Sequence, residues 1–198
     1  MHSLVSLIEK IEIPTEVDFE VSGKTITLKN SNGVISKKFN NHALNFDKQG
    51  NTLIVTAIPS NRKNKALLGT VFAHLKNMVE ALEYGFNFKM SIVFSHFPMT
   101  VKVNGKVVEI NNFTGQKALI RAKILGNTKV EIKGKEVFVS GYNKEDVAQT
   151  AANLETATRV RHKDVRIYQD GIYVVSKDNI KEKKKEVVLN ATTEEVEQ

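Results

Sequence analysis

The chain has 198 residues, a formal net charge of +7 and no cysteine. This length and a 41% hydrophobic content allow one domain or two small ones with packed cores, while the absence of cysteine excludes disulfides, thiolate metal sites and a cysteine nucleophile. No stretch approaches the roughly 20 apolar residues of a membrane span, and the N-terminus lacks the parts of a secretory signal, so we expect a cytosolic protein with no membrane partner.

The first half of the chain predicts a small antiparallel sheet. Strands are predicted at Val17–Leu28 (a hairpin), Val34–Phe39 and Leu53–Ala57, and Leu4–Ile13 before Pro14 is expected to be an edge strand or a docking arm. The hairpin is predicted because apolar residues alternate on both sides of Gly23. Asn32 and Gly33 mark a second turn.

One long helix follows this sheet. Ser60 or Asn61 can cap its start, and Gly85 can end it in the left-handed conformation. Its apolar face consists of Leu68, Val71, Phe72, Leu75, Val79 and Leu82. The segment Asn61–Lys65 carries three cations at the helix entrance, where an anion could bind, but a solvated loop is the simpler interpretation.

A strand with one aromatic face is predicted at Phe86–Phe94. Phe86, Phe88, Met90, Ile92 and Phe94 alternate with more polar residues. Aromatic residues beside Lys89 are also found on base-stacking platforms. Strict alternation favours a core-facing strand over a platform.

The pattern of the first half then repeats. The segment around Gly105 resembles the hairpin around Gly23, and GKEVFVS from Gly134 resembles GNTLIVT from Gly50. A helix follows each copy, and Asn143 can cap the second one together with Asp146. The sequence therefore predicts the α+β class, with two tandem copies of a small, mostly antiparallel sheet packed against one helix.

A cluster of cations follows the second helix. Arg159, Arg161, Lys163 and Arg166 lie within a few residues of one another and beside Tyr168. Any single cation would also be explained by the helix dipole or by simple solvation. As a group next to an aromatic ring they favour a surface for phosphate and sugar, which fits the largest excess of positive charge, five, between Ser91 and Ile180.

The chain offers no recognisable catalytic or metal-binding motif. Its five histidines lack metal-ligand spacing, and no HExxH, GxGxxG, P-loop or GxSxG occurs. We therefore expect no catalytic residues, no metal and no cofactor. An enzyme would require a deep pocket lined by convergent polar groups with perturbed pKa values.

Two segments resemble a known family. YGFNFKMSIVFSHFP from Tyr84 and QTAANLETATRVRHKDVRIYQDGIYV from Gln149 are similar to the corresponding parts of universal large-subunit ribosomal protein six, whose eukaryotic counterpart is numbered nine. The resemblance extends in order from about Ile11 to Lys177. The RxxQDGIYV ending, from Arg166 to Val174, is closest to the archaeal and eukaryotic branch.

The resemblance implies a structural constituent of cytoplasmic ribosomes. Its implied partners are large-subunit rRNA near the sarcin-ricin loop, neighbouring ribosomal proteins and the stalk base, with transient proximity to translational GTPases. It implies two tandem domains, the second of which makes much of the RNA contact. Mapped onto this chain, the rRNA-binding residues are Arg159, Arg161, Lys163, Arg166, Tyr168, Lys177, Arg121 and Lys123.

Two departures from the family pattern change the local surface. The basic first-domain turn of the family is replaced by Asn30–Gly33, which removes an expected cation. The usual Asn-Phe-Leu-Gly-Glu-Lys appears as NFTGQK, with Thr114 and Gln116 in place of leucine and glutamate.

We therefore expect a first sheet-plus-helix domain at 1–84, a second one carrying the main RNA-binding surface at 85–177, and a mobile charged tail at 178–198. Arg159 and Arg166 are expected to make forked phosphate contacts, and Asp170 to orient an arginine or a backbone amide. Gly171 is expected to permit a tight turn into a strand at Ile172–Val175. An RNA-binding or protein-interaction adaptor acting away from the ribosome is the alternative hypothesis.

Overall fold

A computed structural model of the chain describes residues 7–31 and 33–179. Backbone contacts divide the chain into two compact units, one ending at Glu83 and the other beginning at Tyr84. Each unit combines antiparallel sheets with one helix, so the predicted α+β class is confirmed.

The first unit contains two three-stranded antiparallel sheets. Its strands are β1 Leu7–Glu12, β2 Asp18–Ser22, β3 Thr25–Asn30, β4 Gly33–Lys38, β5 Leu44–Gln49 and β6 Thr52–Ala57. One sheet has the order β1-β6-β5 and the other β2-β3-β4. Among the described strands β1 pairs only with β6, which confirms the predicted edge strand over Leu7–Glu12, while residues 4–6 of that prediction lie outside the described residues.

The single sheet expected for this half was wrong, and β5 was missed. The segment LNFDKQ contains only two apolar side chains, Leu44 and Phe46, so its alternation is too short to stand out. Both side chains are buried, and they give β5 its inward face. The other predicted turn includes Asn32, which lies outside the described residues.

Helix α1 spans Arg62–Tyr84. Asn61 caps it, because its Oδ1 accepts a hydrogen bond from the Asn64 amide at 2.7 Å, and Gly85 follows it with φ +68°. The cations of Asn61–Lys65 therefore lie in the first helical turn rather than in a loop. The buried face consists of Leu68, Val71, Leu75, Met78, Ala81 and Leu82.

The second unit repeats the order of the first. Its elements are β7 Phe86–Val93, β8 Thr100–Asn104, β9 Val107–Asn111, β10 Ile120–Lys123, β11 Lys129–Lys133, β12 Glu136–Gly141, α2 Lys144–Ala157 and β13 Gly171–Asn179. The sheet β10-β9-β8 corresponds to β4-β3-β2, and β11-β12-β7 corresponds to β5-β6-β1. Gly105 and Gly134 have positive φ at the turns, as Gly23 and Gly50 do.

Strand β13 is an addition to the second unit. It pairs with β7 on the side opposite β12, and no described strand of the first unit corresponds to it. It continues through Asp178 and Asn179, the first two residues of the predicted tail, while residues 180–198 of that tail lie outside the described residues. The prediction had ended this strand at Val175.

Strand β7 supplies the core of the second unit. Phe86, Phe88, Met90 and Ile92 are all buried, so the core-facing interpretation is confirmed and a base-stacking platform on this strand is excluded. Helix α2 contacts β7, β10, β12 and β13. Within the described residues, neither helix combines the length and the apolar composition that a membrane crossing requires.

Candidate nucleic-acid interface

The basic loop, defined as residues 159–169, connects α2 to β13, and a buried threonine ties its two ends together. Thr158 follows α2 and is 1% exposed. Its hydroxyl donates to the Leu154 carbonyl at 3.0 Å and accepts from the Ile172 amide at 2.9 Å. The residue before the loop is thus bonded directly to the start of β13.

A buried carboxylate anchors the loop a second time. Asp170 is 2% exposed, and its Oδ1 accepts hydrogen bonds from the backbone amide of Ser95 at 2.8 Å and from the Ser95 hydroxyl at 3.2 Å. A buried charge is tolerated when it is hydrogen-bonded in this way. The expectation that Asp170 orients a backbone amide is therefore confirmed, and its partner follows β7.

The predicted reason for Gly171 was wrong. Its φ is not positive, so no left-handed turn requires glycine there. A Cβ at this position would instead lie 2.9 Å from the ring and hydroxyl of Tyr173. Glycine therefore lets the Tyr173 ring lie directly against the backbone, and a larger residue would have to displace that ring.

Helix α2 sets the direction of the basic loop. Asn143 caps it by accepting from the Glu145 amide at 3.1 Å, as predicted, and the Asn143 side-chain amide donates to Asp146 at 2.9 Å. Val147, Thr150, Ala151 and Leu154 form its buried face. The C-terminal end of this packed helix therefore fixes the position of Arg159, the first residue of the basic loop.

Strand β10 brings two further cations to the same end of the unit. Ala122 is buried, and Arg121 and Lys123 are exposed on the opposite face, since side chains alternate along a strand. The Asn153 side-chain amide of α2 donates to the Lys123 carbonyl at 3.0 Å. This hydrogen bond holds β10 against the side of α2 that carries Asn153.

The first cavity, of about 690 Å³, gathers these cations. Arg121 and Lys123 line it from β10, and Arg159 and Arg161 line it from the basic loop. All four side chains are exposed. Four of the eight predicted RNA-binding residues, from two separate elements, therefore surround one concave surface.

Acidic groups neutralise this surface only in part. Arg121 Nε lies 3.7 Å from Oε1 of Glu109, its cross-strand partner. The Arg121 side chain is 66% exposed and Glu109 is partly exposed, and surface pairs contribute only about 0–1 kcal/mol, so this one can exchange for a phosphate. In the part of the chain that the structure describes, Arg159 and Arg161 form no ion pair. The cavity is therefore suited to a polyanion.

Asp164 organises the outer part of the basic loop. Its backbone carbonyl accepts from the amides of Ile167 and Tyr168 at 3.1 and 2.9 Å, and its carboxylate accepts from Arg166 Nε and Nη2 at 3.1 and 2.9 Å. The side-chain hydrogen bonds from Arg166, together with that from its backbone amide at 3.0 Å, lower the pKa of the Asp164 carboxyl, and the side-chain pair raises the pKa of the Arg166 guanidinium.

Asp164 thus occupies the guanidinium fork of Arg166 in the unbound chain, so the forked phosphate contact expected of Arg166 requires this pair to exchange for a phosphate, and that contact stays a prediction. The Arg166 side chain is nevertheless 87% exposed, so the pair is not an internal one. Lys163 lies beside the same turn, with its Nζ 4.6 Å from the centre of the Tyr168 ring.

The second cavity, of about 480 Å³, lies on the other side of Arg159. Its lining comprises Glu155, Thr156, Thr158, Arg159, Val160, Val165, Tyr168, Gln169 and Tyr173. Tyr168 is thus placed beside the cationic surface, as predicted. Lys177 does not lie beside the cationic surface, and it lines neither cavity. It pairs with Phe88 further along β13, and its Nζ lies 5.9 Å from the centre of the Phe88 ring.

The sequence reasoning missed several residues that line the first cavity. They are Phe113, Gln116, Asn153, Thr156 and His162. Asn153, Thr156 and Ala157 share one face of α2, and helical spacing could have identified that face. His162 lies between Arg161 and Lys163 in the sequence, but its φ of +60° and its place in the wall of the first cavity are visible only in the structure.

Backbone strain marks the same region. Asn112 and Thr114 have φ values of +60° and +51° on either side of Phe113, and a β-branched residue rarely adopts this conformation. Within the described residues, no group of three histidine or acidic side chains is arranged to hold a metal ion. The two cavities are lined by cations, hydroxyls, amides, aromatic rings and aliphatic side chains, with Glu155 as the acidic residue in their linings.

Comparisons with known proteins show which sequences this chain is similar to. A family model described as "Ribosomal protein L6" matches residues 97–171, which include β10, α2 and the basic loop. Three curated proteins named large ribosomal subunit protein uL6 are similar over most of their lengths. The one from Methanobrevibacter smithii is 44% identical over 170 residues, which are 86% of this chain and 96% of the relative. The one from Methanosarcina mazei is 46% identical over 167 residues (84% and 95%), and that from Desulfurococcus amylolyticus is 42% identical over 172 residues (85% and 94%).

Proposed function

The chain belongs to the ribosomal protein L6 family, and from this membership we propose that it is a structural, non-catalytic constituent of the large ribosomal subunit that binds rRNA. Relatives named as large ribosomal subunit proteins support this assignment. Its place of action is then the ribosome in the cytoplasm. Its partners are large-subunit rRNA and neighbouring ribosomal proteins.

The observation that carries the RNA-binding role is the arrangement of four cations around the first cavity. Arg121, Lys123, Arg159 and Arg161 come from β10 and the basic loop, and all four are exposed. A surface of this kind binds phosphates by releasing condensed counterions, which supplies affinity independently of sequence. Specificity then comes from the fit between the cavity and the shape of the folded RNA.

The surface is fixed before RNA binds. The hydroxyl of Thr158 and the buried carboxylate of Asp170 hold the two ends of the basic loop, and Asn153 holds β10. A preformed site loses less conformational entropy on binding than a flexible one. The second unit is therefore suited to bind RNA that is already folded.

We also propose the finer location that the family resemblance implies. The protein would lie near the sarcin-ricin loop and the stalk base, close to where translational GTPases dock. The domain that we place at residues 85–177, within the second unit, would make the main RNA contact, with Tyr168 at the second cavity, Lys163 and Arg166 in the same basic loop and Lys177 as an outlying contact.

Charge reversal tests the proposal. A tagged full-length chain carrying Arg121→Glu, Arg159→Glu and Arg161→Glu is expressed in cells and followed through a sucrose gradient at moderate salt. We expect the wild-type chain to sediment with the large subunit and this variant to stay at the top of the gradient. The matched control reverses the charges of three exposed residues at the start of α1, namely Arg62, Lys63 and Lys65. Acidic residues at a helix N-terminus suit the helix dipole, so these substitutions are compatible with the fold.

Co-sedimentation of the cavity variant at the wild-type level would contradict the proposal. A wild-type chain found mostly in the free pool would contradict it as well, and would favour an adaptor acting away from the ribosome. Crosslinking of the large-subunit fraction, followed by sequencing of the attached RNA, tests the finer location separately.

A further inference from the structure

The two cavities of the second unit adjoin each other. Thr156 and Arg159 line both of them. A phosphate that contacts Arg159 from the cationic side therefore lies next to the second cavity. The base of that nucleotide has this neighbouring cavity within its reach.

The lining of the second cavity differs from that of the first. The walls of the second cavity are apolar and aromatic, formed by Val160, Val165, Tyr168 and Tyr173. Among the described residues, Arg159 is the only cation in its lining. The hydroxyl of Thr156, the amide of Gln169 and the carboxylate of Glu155 add donors and acceptors. Aromatic walls with a few polar groups suit a planar heterocycle better than a phosphate.

The aromatic walls are held in place. The Tyr173 hydroxyl donates to the Gln169 carbonyl at 3.2 Å, and its ring lies against Gly171. The Tyr168 amide donates to the Asp164 carbonyl at 2.9 Å, and the Lys163 ammonium group lies 4.6 Å from the Tyr168 ring centre. Both rings therefore stay exposed at 39% and 41% without having to reorganise.

We propose that the second cavity accepts an unstacked nucleobase of the bound RNA. This inference rests on the proposed rRNA-binding function and specifies the ligand at one part of that site. The sugar-phosphate backbone lies over the first cavity, Arg159 contacts the phosphate at the boundary, and the base enters between Tyr168 and Tyr173. The structure thus assigns recognition of single-stranded or bulged RNA to this cavity, since a base within a helix cannot reach it.

A protein side chain is the competing occupant, because Val165 and Ile167 are exposed nearby. The base is favoured because the cavity opens beside four cations, and because Arg159 belongs to both surfaces. Ile167 is 70% exposed but lines neither cavity. The effect of replacing Ile167 on binding therefore distinguishes a nucleobase from a protein side chain as the occupant of the second cavity.

The test measures binding of the full-length chain to deproteinised large-subunit rRNA over a range of salt concentrations. Tyr168→Leu removes the stacking face, and we expect affinity to fall about tenfold or more with an unchanged salt dependence. Tyr142→Leu is the matched control, because Tyr142 is similarly exposed (45%) and lies before α2, at the opposite end of that helix. Ile167→Ala removes exposed apolar surface outside the cavity. Both controls are expected to bind as the wild type does.

Wild-type affinity of Tyr168→Leu would overturn the base pocket and leave the proposed function intact. An Ile167→Ala loss as large as that of Tyr168→Leu would also overturn it, in favour of a protein contact. If the wild-type chain fails to bind the rRNA, the proposed function fails and the base pocket with it. Should Tyr168→Leu unfold, Val165→Ala provides the second variant: we expect it to weaken binding with an unchanged salt dependence, and wild-type affinity in a folded Val165→Ala chain would overturn the pocket.

Discussion

Replacing Thr158 with valine removes one hydroxyl and keeps the shape of the side chain. The hydroxyl joins the end of α2 to the second residue of strand β13, and both Thr158 and Ile172 are buried. Without it, the Ile172 amide has no acceptor in the protein interior. The Leu154 carbonyl keeps a partner, because it still accepts from the Thr158 amide at 3.2 Å.

The expected loss follows from this single unpaired donor. A buried amide without a partner costs about 1–3 kcal/mol, so we expect the free energy of unfolding of the second unit to fall by about 2 kcal/mol in Thr158→Val. Thr158→Ser retains the hydroxyl and loses one methyl group, which costs about 0.8 kcal/mol. The serine variant should therefore be the more stable of the two.

Tyrosine fluorescence during urea denaturation provides the measurement. The chain has no tryptophan, and its four tyrosines occur from Tyr84 onwards, so the signal reports the second unit. Amide hydrogen exchange should also show reduced protection of Ile172 in the valine variant. A loss below about 0.5 kcal/mol, or equal losses for valine and serine, would refute the hydrogen-bond argument.

Three further predictions concern neighbouring residues. Arg166→Met should raise the pKa of Asp164 towards its ordinary value, because the lowered pKa comes from the Arg166 hydrogen bonds. The stabilisation by this pair is present above the unfolded-state pKa of about 3.9 and is lost as the pH falls through the folded-state pKa. Equal titrations of the Asp164 carboxyl by NMR in the two chains would contradict this prediction. Thr114→Asn should raise the unfolding free energy by about 0.5–1 kcal/mol, because asparagine tolerates φ +51° better than a β-branched residue, and a denaturation midpoint that stays the same or falls would count against the strain. Gly171→Ala should displace the ring of Tyr173 and break its hydrogen bond to the Gln169 carbonyl, so unaltered ring chemical shifts would show that the close approach does not exist.

Local patterns were sufficient to predict the duplicated fold. Gly23 and Gly105 mark hairpins because a positive φ at a tight turn favours glycine, and this signal is contained in a few adjacent residues. Phe86–Val93 alternates strictly, so its buried face follows from the period alone. β5 was not predicted, because two apolar residues are too few to establish the alternation of a strand.

The candidate site was predictable in composition but not in arrangement. The cations of the basic loop are visible in the sequence, and so is Tyr168 beside them. That β10 places Arg121 and Lys123 beside Arg159 depends on pairing and helix packing between distant segments. The neutralising contact between Asp164 and Arg166 depends on side-chain conformation. Neither follows from spacing.

The number of phosphate contacts made by the first cavity tests the central claim most directly. The logarithm of rRNA affinity is measured against the logarithm of salt concentration for the wild type and for a variant in which Arg121, Lys123, Arg159 and Arg161 are all glutamine. We predict that the slope becomes shallower by about three, because each lost phosphate contact changes it by about 0.7–0.9. A slope identical to that of the wild type would show that RNA binds elsewhere on the protein.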